Sequence, residues 1–125
     1  MKIKQLQYSE TELFLLLKTG QTTEFNYIYD FYSPILYGFL LNSGLSEKYS
    51  TDILEKTFTK IWNNSRQLPI HNNFLIWMLQ ITTENIRDYL QNHHRKFTIE
   101  VKNCAAISIK FTDVIEPALP NQSIA

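Results

Sequence analysis

Three groups of side chains along this chain have types and spacing suited to molecular recognition. The segment Asp52-Ile53-Leu54-Glu55-Lys56-Thr57-Phe58 gathers an acid, a second acid and a cation about one helical turn apart, beside apolar Ile53 and Phe58. A polar stretch around Pro69 then brings His71, Asn72 and Asn73, a stacking ring and two amides whose donors and acceptors match base edges. Farther on stand Glu84, Arg87 and Gln91, followed by the basic pair Arg95 and Lys96, which suit contacts along a phosphate backbone. All of this is binding chemistry. Cys104 has no clustered acid–base partner, and no Gly-rich loop cradles a phosphate, so catalysis has no support. Adjacent His93 and His94 diverge by about 100° on a helix and cannot chelate jointly; neither metal nor cofactor is expected.

The elements that must position these groups read as helices. Ser9-Glu10-Thr11-Glu12 has a capping-box pattern that opens a first helix, and Gly20 is placed to close it. A second helix begins near 21–23. Its apolar positions Phe25, Ile28, Tyr29, Tyr32, Leu36, Phe39 and Leu40 keep helical spacing through Pro34, which should kink rather than end it. Ser46-Glu47 starts a third helix, whose expected buried stripe is Leu54, Phe58, Ile61 and Trp62. The fourth helix is expected over 73–96, a length of about 35 Å. It is apolar around Phe74 to Leu79 and Ile81, and ends in an exposed run from Gln91 to Lys96. Beyond it, Phe97 to Val101 and Ile107 to Phe111 alternate at period two, a pattern for a short hairpin, although two isolated strands are marginal alone. The last residues, with Pro117 and Pro120, read as a disordered tail.

Composition sets outer limits on these assignments. A chain of 125 residues with 44% apolar content holds a single core, and three Gly with four Pro leave little turn chemistry for many strands. Twelve basic and twelve acidic residues cancel, so any nucleic-acid contact has to be local. One cysteine excludes an internal disulfide, no apolar run approaches a membrane span, and the first residues lack the pattern of a signal peptide. A cytoplasmic protein without membrane contact is expected.

The order and spacing of these segments resemble region 2 of the sigma-70 family of transcription initiation factors, its extracytoplasmic-function group in particular. The likeness runs from Leu16-x-x-x-Gly20-x-x-x-x-Phe25 with Tyr29 and Tyr32, through Asp52-Ile53-Leu54-Glu55-x-x-Phe58, to Trp77-Met78-x-x-Ile81-Thr82 and Asp88. It covers about three quarters of the chain, 11–96. The resemblance implies that Asp52, Ile53, Glu55, Lys56 and Phe58 dock on the beta-prime clamp helices of core RNA polymerase. It also implies that His71, Asn72, Asn73, Glu84, Arg87, Gln91, Arg95 and Lys96 face single-stranded promoter DNA at the −10 element. Departures from the family pattern concern charge: Glu55 stands for a usual Gln, Lys56 for an acid, Glu84 for Asn and Gln91 for Arg. The last two lower affinity for a polyanion. No helix-turn-helix pattern follows Asp113, so distal promoter recognition would fall to a separate region 4 subunit, and an anti-sigma factor is a further partner the resemblance brings with it.

The expected fold is therefore all-α, a four-helix bundle of sigma region 2 type over 9–96, with an irregular tail over 97–125. The expected function is promoter-directed initiation by a lone region 2 domain. Its alternative is an interaction module that binds polymerase or another regulator without reading DNA. Blander explanations attend each site: a charged run is commonly just a solvated helix face, an Asn before a helix commonly caps it, and cations commonly gather at a helix C-terminus.

Overall fold

In a computed structural model, residues 8–64, 73–103 and 105–113 are described; His71, Asn72, Cys104 and the segment 114–125 lie outside them. Four helices run in sequence, α1 Glu10–Thr19, α2 Thr22–Asn42, α3 Glu47–Asn63 and α4 Phe74–Asn92, followed by strands β1 Phe97–Asn103 and β2 Ala106–Phe111. Local chemistry explains the boundaries. Ser9 Oγ accepts from the Glu12 amide at 3.2 Å while Glu12 accepts from the Ser9 amide at 2.8 Å, completing the capping box. Gly20 closes α1 at φ 69°, a left-handed conformation that costs glycine little. Ser46 caps α3 through the Tyr49 amide at 3.1 Å, and Asn73 caps α4 through the Ile76 amide at 2.9 Å. Helix α2 continues through Pro34.

The helices pack α2 on α3 and α3 on α4, with α1 bridging α2 and α4. Where α1 meets α4, Phe14 sits edge-on to Phe74 at 4.8 Å and to Trp77 at 5.0 Å, with Tyr32 of α2 closing the cluster against Phe74 at 5.2 Å. Such aromatic pairs add stability beyond the area they bury. Leu13 and Leu17 join this core, which extends through Ile28, Leu36, Leu40, Met78, Ile86 and Leu90.

Three sequence expectations are corrected here. First, the protein is mostly helical but not all-α: β1 and β2 form an antiparallel hairpin running from Phe97↔Phe111 to Asn103↔Ala106. Its support comes from the helices. Ile107 and Ile109 are buried in the common core, and the Ile109 amide donates to the Ser43 carbonyl at 2.8 Å. Second, α4 stops at Asn92 rather than 96, because His94 turns left-handed at φ 57° and releases Arg95 toward the hairpin. Third, the buried line of α3 is turned so that Ile53 rather than Leu54 points inward. Ser50, Ile53 and Thr57 join the expected Ile61, while Leu54 and Trp62 are half-buried and Tyr29 of α2 is 38% exposed. Phe58 and Trp77 are buried as expected. No helix among the described residues is long and apolar enough to cross a membrane.

The rotation of α3 is testable by truncation. Ile53→Ala should cost about 2–5 kcal/mol, as for a buried aliphatic side chain that leaves a cavity, and Leu54→Ala distinctly less. Urea unfolding of the two variants checks it; equal costs, or a larger one at Leu54, would contradict the packing.

Candidate docking face and nucleic-acid interface

Helix α3 divides the residues of its recognition segment between core and surface. Ile53 is 0% exposed and Phe58 3%: both hold the helix in place from beneath, and Phe58 also borders an open groove. Glu55 and Lys56 are exposed and Asp52 half-buried, and these three form the outward face. Asp52 accepts a hydrogen bond from the Tyr89 hydroxyl of α4, and Lys48 approaches the same carboxylate at 3.3 Å. The Tyr89 bond first, and Lys48 after it, keep this carboxyl below its ordinary range.

Two open grooves flank the face, and Glu55 lines both. One, of about 710 Å³, runs between α3 and α4 past Asp52, Lys56, Lys60, Asn63, Tyr89 and His93. The other, of about 630 Å³, lies between α2 and α3 and is walled by Phe25, Tyr29, Phe58 and Trp62. Its rings form a continuous patch, with Phe25 to Trp62 at 4.8 Å and Tyr29 to Phe58 at 4.7 Å. Sequence reasoning assigned these aromatics to the core. The signal for a groove was their pairing, Phe25 with Tyr29 and Phe58 with Trp62, each four residues apart on facing helices. Partly exposed aromatics around an acidic residue are what a protein-binding surface offers.

The described residues among those expected to face nucleic acid are not brought together in the same way. Asn73 is used as the cap of α4, while His71 and Asn72 lie outside the described residues. Glu84, Arg87 and Gln91 are exposed along α4, with Glu84 at 4.0 Å from Lys60 of α3. The expected basic helix end is absent, since α4 has no cation in its last turn. Arg95 is engaged: its guanidinium grips Asp113 through two bonds of 2.7 and 3.2 Å, donates to the Tyr49 hydroxyl at 3.1 Å, and lies 4.1 Å from the centre of the Phe111 ring. Lys96 remains exposed, and its amide donates to the same Asp113 carboxylate at 3.1 Å. Among the described residues no three His, Cys, Asp or Glu side chains gather as a metal site. Tested against models of protein families, curated proteins and solved structures, the chain has no match.

The two carboxylate contacts give stability a pH signature. Arg95 first, and the Lys96 amide second, hold the Asp113 carboxyl down at about 2 against an ordinary 3.8. A folded-state value below the unfolded one makes the charged form stabilising, so this contribution is present above about pH 4 and lost as pH falls toward 2. Tyr89 has the opposite sign. Burial first, and Asp52 second, push its hydroxyl up to about 12 from 10.0, so its contribution is present below pH 10 and lost as pH climbs toward 12. Denaturant unfolding of Asp113→Asn should therefore show a deficit against wild type at pH 7 that closes on acidification. A deficit unchanged at the acid end would remove the ion pair as its cause.

Proposed function

We propose that this chain is a polymerase-binding module of the sigma region 2 type, docking on core RNA polymerase through the outward face of α3. The carrying observation is that Asp52, Glu55 and Lys56 stand together on the surface between two grooves, while Ile53 and Phe58 anchor the same helix from below. This arrangement supports recognition by charge and aromatic contact rather than chemistry on a substrate. The Tyr89 bond fixes the Asp52 carboxylate before any partner arrives, which reduces the ordering cost of association. In the full reading, polymerase then presents the −10 non-template strand to α4 and its preceding loop, and the protein acts as an initiation factor whose binding energy captures melted DNA.

A second reading, interaction without promoter recognition, is favoured by one observation. Arg95, a cation on which strand contact would rest, is committed to Asp113 and Tyr49, and Glu84 adds negative charge on the same helix. With few phosphate contacts, binding to single strands should be weak and only shallowly dependent on salt.

Two measurements separate the readings. Asp52→Arg with Glu55→Arg should weaken binding to core polymerase by about tenfold or more, through both the rate of encounter and lost contacts. A folded double variant that binds as wild type would sink the docking assignment. Glu84→Asn with Gln91→Arg should strengthen binding of a promoter-like single strand to the polymerase complex. If neither that variant nor wild type prefers such strands over scrambled ones, interaction alone is the function.

A further inference from the structure

The hairpin has two outer edges, and among the described residues only one is covered. The edge of β2 lies against the end of α2, where the Ile109 amide bonds to Ser43 and the backbone of Gly44 runs close by. Because that amide points away from β1, Ile109 and the residue opposite it, Ile99, form a pair that does not exchange ladder bonds. The amides and carbonyls of Ile99 and, two residues on, Val101 therefore point outward from β1, where the described residues supply no strand to receive them. Val101 is 67% exposed, the most exposed of the large apolar side chains described. It borders a cleft of about 390 Å³ shared with Phe39, Ile76, Leu79 and Ile107.

We propose that this edge pairs with itself, joining two copies of the chain into an antiparallel dimer about a two-fold axis at Val101. Charge selects the occupant. Antiparallel pairing centred there sets Glu100 opposite Lys102 of the partner subunit, and Lys102 opposite the partner subunit's Glu100. Both side chains project from the face opposite Val101, so the ion pairs lie in solvent while the two valines meet beside the clefts. A two-fold contact of this kind is closed and leads to a dimer rather than a fibre. The zero net charge of the chain removes the general repulsion that would oppose it. The bulge between Val101 and Asn103 interrupts regular pairing there, which keeps the ladder short and the dimer weak, with dissociation in the micromolar range.

The edge lies apart from the α3 face, so this inference stands or falls independently of polymerase binding. Sedimentation equilibrium on the full chain at low salt should show a monomer–dimer equilibrium. Glu100→Lys and Lys102→Glu should each weaken it by about tenfold, since each turns both attractive pairs into like-charge pairs. Mixing the two single variants should restore association between them, as should the exchange Glu100→Lys with Lys102→Glu in one chain. Circular dichroism on each variant checks that the fold is retained. A chain that stays monomeric into the high micromolar range overturns the proposal. So does a dimer indifferent to the single reversals, or a mixture that fails to associate.

Discussion

The guanidinium of Arg95 ties the hairpin at the end of the described chain to the helices. A two-stranded hairpin has too little apolar face to persist alone, and while Ile107 and Ile109 of β2 are buried in the core, Phe97 and Ile99 of β1 are only partly covered against it. Arg95 closes the open end: it binds Asp113 beyond β2 with a bidentate grip, and lies over Phe111. Its third nitrogen donates to the Tyr49 hydroxyl on α3, so the hairpin is fastened to the bundle and not merely to the end of α4. The same commitment ends α4 early, because the backbone must turn left-handed at His94 to deliver Arg95 to these partners.

From Tyr49 the contacts continue inward to the docking face. Its ring packs against Tyr89 at 5.2 Å, Tyr89 stacks on His93 at 4.1 Å, and the Tyr89 hydroxyl reaches Asp52. A second polar tie crosses the same two helices deeper down. Asn85 of α4 donates to Thr57 of α3 at 3.0 Å, and Thr57 returns its proton to the Ile53 carbonyl at 2.8 Å. Buried polar groups with both partners in place fix one relative setting of two helices, where an apolar seam alone tolerates sliding. Asp52, Glu55 and Lys56 thus stand on a helix whose rotation is set from within.

How far the sequence could be read follows from which interactions are local. The helix starts at Ser9, Ser46 and Asn73 were legible, since a capping side chain acts on amides within three residues. So was the stop at Gly20. The end of α4 was not, because Arg95 finds Asp113 eighteen positions away. The choice of Ile53 over Leu54 as the buried residue was also hidden. Both are apolar, and the inward line includes Ser50 and Thr57, polar types that a hydrophobic stripe passes over. Core placement of Phe58 and Trp77 was read correctly, whereas the half-open setting of Phe25, Tyr29 and Trp62 depends on how far apart α2 and α3 stand, which no periodicity encodes.

Charge distribution then decides how the two recognition surfaces rank. A strand of nucleic acid is held mainly by cations placed along its phosphates, and each one spent elsewhere weakens the grip. On α4 the exposed charges are Glu84, Arg87 and Asp88, which leave no basic stripe, and Arg95 just beyond is already neutralised by Asp113. A protein partner asks for something different: apolar rings to anchor and a few oriented charges to select. The α3 face has both, with Phe25, Tyr29 and Trp62 in reach on one side and a preset Asp52 on the other. The α3 face therefore suits a protein partner better than α4 suits a strand of nucleic acid.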